Sequence, residues 1–212
     1  MTKRIGIVDT GVNPWHSHVR GRVDGCRIFV DDGGRIREDG DFRDAVGHGT
    51  AVAGLVREGL PDAELFAIRV FDGAGTTWPS LVARAILRAA AEGCDAVNLS
   101  LSVDRGPGAA VLAEACQAAR EAGCLLVASD PAAARGALPA SLPGVVSAVA
   151  DDQLAFGDVR QIAPGRFAAP GRPRDLRGIP RAGNLWGASF ACARVTVHLV
   201  RRATDVSGCR AS

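Results

Sequence analysis

The chain has 212 residues, 47% of them hydrophobic and 23% charged, with a formal net charge of +2. This is the balance of a single ordinary globular domain, which buries roughly 70% of its unfolded surface and can fold without disulfides or metals. It argues against a nucleic-acid platform, because the arginine-richer stretch at 160–181 does not interleave with aromatics and reads as a solvated loop; it argues against a membrane protein, because no apolar run approaches the length of a span.

Met1-Thr2-Lys3-Arg4 runs directly into the apolar segment 5–8, which reads as the first strand. No signal peptide or prodomain is visible ahead of the domain, and the chain is expected to act in the cytoplasm. Further apolar runs follow at 27–30, 65–70, 96–101, 125–128 and 145–150. Several are continuous rather than alternating, as suits strands of a parallel sheet buried on both faces. Between them lie helical patterns. Leu81, Val82, Ala85, Ile86 and Ala89 form one apolar face, on a helix that starts near Thr77 and Pro79 and stops at Gly93. Val111, Leu112, Ala115, Cys116 and Ala119 form another, which stops at Gly123. Strand and helix alternation predicts an α/β fold with helices on both faces of the sheet.

Two segments read as loops. Residues 31–44 hold six acidic side chains among glycines, but match no EF-hand spacing and are expected to form a solvated acidic turn rather than a metal site. Residues 131–143 are rich in Ala and Pro. The six cysteines include no C-x-x-C pair and fit a reduced protein in which they act as small buried hydrophobes.

Three residues carry candidate chemistry. Asp9 closes the first strand, at the carboxyl end where α/β sheets gather functional groups. His48 lies in Gly47-His48-Gly49-Thr50-Ala51-Val52-Ala53-Gly54, and its flanking glycines leave the imidazole accessible. Ser189 lies in Gly187-Ala188-Ser189-Phe190-Ala191 at the predicted start of a buried helix, whose free N–H groups and partial positive charge can stabilise an oxyanion. Each has an ordinary structural explanation: a turn aspartate, a packed histidine, a helix-capping serine. Of the other histidines, His16 and His18 follow Pro14 in a polar segment and His198 lies within a helix.

Together, and in this order, the three segments resemble the aspartate, histidine and serine motifs of the subtilisin-like serine peptidases. The resemblance extends to Val97-Asn98-Leu99-Ser100-Leu101-Ser102, similar to the family's substrate strand, and to Phe167-Ala168-Ala169-Pro170-Gly171, similar to the turn ahead of its serine motif. It covers roughly residues 4 to 200. It implies a three-layer α/β fold with a mostly parallel sheet. It also implies peptide-bond hydrolysis through an acyl-enzyme, with Ser189 as nucleophile, His48 as base and Asp9 holding the imidazole. Ser100, Leu101 and Ser102 would bind an extended polypeptide, and neither a cofactor nor a catalytic metal is implied. Where the family places an oxyanion-hole asparagine, Asp130 stands in Leu126-Val127-Ala128-Ser129-Asp130; an ionised carboxylate there has no hydrogen bond to donate. The family's proline after the serine motif is replaced by Ala193, and Cys192 stands beside it. The resemblance points first to a processing endopeptidase. The alternatives are a degenerate peptide-binding module, and an esterase or acyl transferase using the same triad.

Overall fold

The computed structural model describes residues 2–71, 75–131, 136–174, 178, 180 and 183–208. Nine strands and four helices follow in the order β1 (Arg4–Asp9), β2 (Val23–Val30), β3 (Ile36–Asp39), α1 (His48–Gly59), β4 (Glu64–Arg69), α2 (Pro79–Ala91), β5 (Ala96–Leu99), α3 (Ala109–Glu121), β6 (Leu125–Ser129), β7 (Val146–Ala150), β8 (Arg160–Ala163), β9 (Arg166–Ala169) and α4 (Ala188–Gly208). The strands form one sheet in the order β3-β2-β4-β1-β5-β6-β7-β9-β8. Every pairing is parallel except the two outermost, β2–β3 and β8–β9.

Burial follows from this arrangement. The central strands β1, β4 and β5 are covered on both faces, and their residues are buried almost without interruption. One face carries α2 and α3: Leu81, Ile86, Leu112 and Cys116 pack against Val8, Ile68, Leu99 and Leu126. The other carries α1 and α4, where Val52, Val56 and Phe190 cover Ile5, Ile7 and Leu65, and Val195 covers Val127. Each large aliphatic side chain so buried contributes roughly 1.5–3 kcal/mol. The result is the three-layer α/β sandwich that the alternation of elements predicts.

The edges differ from the sequence reading. Residues 31–44 are not wholly a loop, because β3 pairs there with β2. Its carboxylates are taken by arginines: Asp39 by Arg27, Asp31 by Arg37, and Glu38 by Arg88. Likewise the stretch from 160 contains the β8–β9 hairpin rather than a plain loop, and three of its arginines are paired, Arg160 with Asp151, Arg166 with Asp130 and Arg174 with Glu58. Both outer strands are exposed and carry charged residues, which is how a sheet edge avoids pairing with a second chain. Two boundaries also move. The second strand begins at Val23 rather than Arg27, and β5 ends at Leu99, so Ser100, Leu101 and Ser102 leave the sheet as a free-running segment.

Cys26, Cys94, Cys116, Cys124 and Cys192 are unpaired and buried. Burial pushes the thiols of Cys26 and Cys94 up to about 12, and those of Cys116 and Cys124 up to about 11. Cys209 lies outside the described residues. Among the described residues no helix is long and apolar enough to cross a membrane, and no cluster of three or more His, Cys, Asp or Glu side chains is arranged to hold a metal ion.

Candidate active site

Asp9, His48 and Ser189 come from β1, α1 and α4 and meet at the carboxyl edge of the sheet. Asp9, the last residue of β1, is fully buried. Its Oδ1 accepts the Thr10 N–H at 2.7 Å and lies 2.7 Å from His48 Nδ1. Its Oδ2 is buried without a hydrogen-bond partner among the described residues. A carboxylate so placed fixes the imidazole with Nδ1 protonated and leaves Nε2 free to act as a base.

The segment around His48 shows why glycine flanks it. Gly47 caps α1 at φ +98°, a left-handed conformation that side chains disfavour. A Cβ on Gly49 would lie 2.1 Å from the Gly11 carbonyl and 3.0 Å from Asp9 Cβ. Only glycine lets the first turn of α1 come this close to the end of β1, and this approach brings imidazole to carboxylate.

Asp44, four residues ahead of His48, secures the same turn. Its Oδ1 accepts from Thr10 Oγ1, the Val46 N–H and the Gly47 N–H, each at 2.9 Å. Its Oδ2 accepts from the Thr50 N–H at 2.9 Å and Thr50 Oγ1 at 2.6 Å. Burial favours protonation of Asp44, but these bonds outweigh it and hold its carboxyl below the usual range. Burial likewise pulls His48 down, yet the bond and charge of Asp9, with the charge of Asp44, leave it above its ordinary value.

Ser189 is the second residue of α4, where the first-turn N–H groups have no intrahelical partner. Its neighbour Phe190 packs against the His48 ring, with centroids 5.4 Å apart. No hydrogen bond joins Ser189 to His48 among the described residues; Ser189 Oγ donates to the Ser100 carbonyl at 3.2 Å instead. Ser100 Oγ donates back to the Ser189 carbonyl at 3.3 Å and accepts from Asn98 Nδ2 at 2.6 Å. Thr196 Oγ1, one α4 turn beyond Cys192, lies 3.1 Å from Asn98 Oδ1. A buried polar chain thus ties α4 to the end of β5.

The other expected site residues fall as follows. Leu101 is buried in the core, so only its backbone is available to a ligand, and its carbonyl already accepts from Ser129 Oγ at 3.0 Å. Ser102 is exposed. Asp130 follows the last residue of β6; its N–H donates to the Ala148 carbonyl at 2.8 Å and its Oδ2 lies 3.1 Å from Arg166 Nη2. No hydrogen bond links Asp130 to Ser189 or His48 among the described residues. A further brace was not evident from sequence: Asp152 accepts from the Gly171 N–H at 3.1 Å and from Trp186 Nε1 at 2.6 Å, and the Gly187 N–H donates to the Gly171 carbonyl at 2.8 Å. The turn at Pro170-Gly171 is thereby tied to the segment that delivers Ser189.

Several known proteins are similar to this chain. Thermitase from Thermoactinomyces vulgaris is 36% identical over 109 residues, 46% of this chain and 37% of that protein. A thermostable alkaline protease from Halalkalibacterium halodurans is 31% identical over 161 residues, 71% of this chain and 42% of that protein. In both cases the match spans less than half of the relative. Among solved structures, a cold-adapted subtilisin-like serine proteinase superposes with a TM-score of 0.70 at 23% identity, over 92% of this chain and 72% of the other. The subtilase family model matches residues 3–201, nearly the whole chain, and the chain belongs to that family.

Proposed function

We propose that this chain is a serine endopeptidase that hydrolyses peptide bonds of an extended polypeptide through an acyl-enzyme on Ser189. The observation that supports this best is the buried Asp9 carboxylate 2.7 Å from His48 Nδ1, with Ser189 at the start of a helix whose next residue packs on the same imidazole. Rotation of Ser189 about its Cα–Cβ bond releases Oγ from the Ser100 carbonyl toward the imidazole. His48 then takes the hydroxyl proton as Oγ attacks the scissile carbonyl, and returns it to the leaving nitrogen. Water, activated by His48, completes hydrolysis. The N–H groups at the start of α4 stabilise the tetrahedral oxyanion. The segment Ser100–Leu101–Ser102, just past the sheet, pairs with the substrate backbone. Asp130 stands beside the oxyanion, where Arg166 balances its charge, and this makes for a slower enzyme than an asparagine would. Five buried free thiols support action in a reducing compartment, the cytoplasm, on a limited set of polypeptides.

The Asp130–Arg166 pair also favours a second reading, a peptide-binding module whose triad no longer turns over. A fluorophosphonate probe decides between them. Labelling that maps to Ser189, and disappears in Ser189→Ala, supports the peptidase; an unlabelled Ser189 in folded protein rules it out in favour of the binding module.

A further inference from the structure

A cavity of about 460 Å³ lies between α1 and α4, and none of Asp9, His48 and Ser189 lines it. Its volume falls in the range of pockets that take small ligands, about 300–1,000 Å³. Three elements enclose it: the end of α1 with Leu55 and Glu58, the loop between β7 and β8 with Phe156 and Val159, and the middle of α4. Along α4, Arg194, His198 and Arg202 stand four residues apart, and Arg201 stands three beyond His198. One face of the helix thus presents three guanidiniums to the same space.

These arginines differ from most others of the chain. Arg27, Arg37, Arg88, Arg160, Arg166 and Arg174 each meet a carboxylate. Arg194, Arg201 and Arg202 meet none among the described residues. Arg194 Nη2 donates to the Arg172 carbonyl at 3.0 Å, and its guanidinium carbon lies 4.0 Å from the centroid of the Phe156 ring. Its Nε is buried without a hydrogen-bond partner among the described residues. Burial holds the pKa of Arg194 below its ordinary value, with Glu58 opposing and Arg172 pulling the same way. Arg201 Nε donates to the Gly59 carbonyl at 2.8 Å, and Arg202 is exposed. Glu58 is the carboxylate of the described lining, and Arg174 already holds it at 2.9 Å. Burial and Arg202 keep His198 below its ordinary pKa, so near neutral pH it brings an N–H donor and no charge.

The lining also indicates what fits. Three guanidiniums against one carboxylate leave a surplus of two positive charges, which a dianion matches better than a monoanion. A phosphate monoester carries about −1.5 to −2 charges near pH 7 and offers three acceptor oxygens. Guanidinium forks bind such oxygens in pairs, more strongly than neutral donors do. The rest of the wall is apolar, with Leu55, Val159 and Val197, and the Phe156 ring is 44% exposed. An uncovered aromatic ring beside the cations suits a flat apolar body joined to the anion.

We propose that this cavity binds a small organic phosphate monoester, its phosphate held by Arg194, Arg201 and Arg202 and its apolar or aromatic body laid against Phe156. The site stands apart from the triad, so its test needs no turnover and is run on the Ser189→Ala protein. Binding of phenyl phosphate, benzoate and inorganic phosphate is measured by NMR titration near neutral pH at one ionic strength. Phenyl phosphate should bind at least about 10-fold more tightly than benzoate, the worth of one further charge-assisted contact. It should also bind more tightly than inorganic phosphate, and shift the methyl resonances of Val159 and Val197. Arg202→Gln should weaken phenyl phosphate by about 10-fold, and Phe156→Ala should bring it to the level of inorganic phosphate. Arg202 and Phe156 are both exposed, so these variants should keep the fold, which a thermal melt checks; Arg201→Gln replaces either one that does not. Smaller margins than these, the absence of saturable binding, or shifts that miss Val159 and Val197 overturn the proposal, whether or not the wild type is a peptidase.

Discussion

Ser189 and Ser100 are bonded to each other in both directions, hydroxyl to carbonyl, at 3.2 Å and 3.3 Å. The Ser189 hydroxyl is thus held by the backbone of the segment just past β5, and on the mechanism proposed above that carbonyl is occupied until Oγ turns to His48. Asn98, fully buried, holds this pair from below through its 2.6 Å bond to Ser100 Oγ.

This bond makes Asn98 a positioning residue. Asn98→Asp keeps the shape but removes the amide donor, so Ser100 Oγ loses the contact that orients its proton toward the Ser189 carbonyl. Small displacements of a nucleophile cost up to about 10²-fold in rate. The expected result is a kcat reduced by roughly 10- to 100-fold with KM changed far less. Steady-state kinetics on a peptide ester, beside a thermal melt, separates this from simple loss of folded protein.

The pH dependence follows from His48. Its folded pKa is raised, so its protonated form is favoured by folding. Its contribution to stability is fully present below the unfolded value of about 6.5 and is lost as pH rises through the folded value. Catalysis runs the other way, because the base must be neutral, and kcat/KM should rise with pH through a midpoint above 6.5. Asp44 contributes to that elevation through its charge. Asp44→Asn should therefore move the acid limb of the kcat/KM profile to lower pH. An unmoved limb would show that Asp44 acts on the turn alone.

On the proposed reading, Asp130→Asn supplies a neutral donor beside the oxyanion. A single oxyanion donor is worth about 10²–10³ in rate, so kcat/KM should rise near neutral pH, by up to about 10²-fold. Arg166→Ala should act in the opposite sense, leaving the carboxylate without its cation at 3.1 Å. Kinetics of both variants on one reactive ester decide the matter. If neither changes the rate, Asp130 does not face the reacting carbonyl.

Arg57 offers a stability test away from the triad. Its guanidinium is buried and donates to the carbonyls of Val19 at 2.9 Å, Pro61 at 3.0 Å and Arg22 at 3.2 Å, as well as to that of Ala63. Arg57→Met retains the apolar stem but leaves these carbonyls without donors. At about 1–3 kcal/mol for a buried polar group left unsatisfied, the loss should be roughly 3 kcal/mol or more, read as a lowered urea midpoint.

Asp9, His48 and Ser189 were legible as candidates because each sits in a short motif whose neighbours are dictated by local contact. Gly49 is the clearest case, since the backbone of Gly11 occupies the space a side chain would need. The central strands were legible because burial on both faces leaves continuous apolar runs. Asp44, Asp152 and Arg166 were not, because their partners lie on other elements and no spacing in the chain announces them. The strands β3 and β8 read as loops for a related reason: edge strands exposed to water carry charge instead of apolar alternation. The end of β5 was placed two residues late because Leu101 is buried without belonging to the ladder.

The placement of the triad on β1, α1 and α4 has a consequence for how the protein comes into being. On the mechanism proposed above, the orienting carboxylate and the base come early in the chain and the nucleophile on α4, which follows every described strand of the sheet. On that mechanism, a nascent chain still short of α4 has no Ser189 with which to attack, and would not cut its own unfolded segments or those of its neighbours on the ribosome. Proteolytic competence would then appear only once α4 docks beside α1, and the appearance of a reactive serine during synthesis or refolding would report that docking.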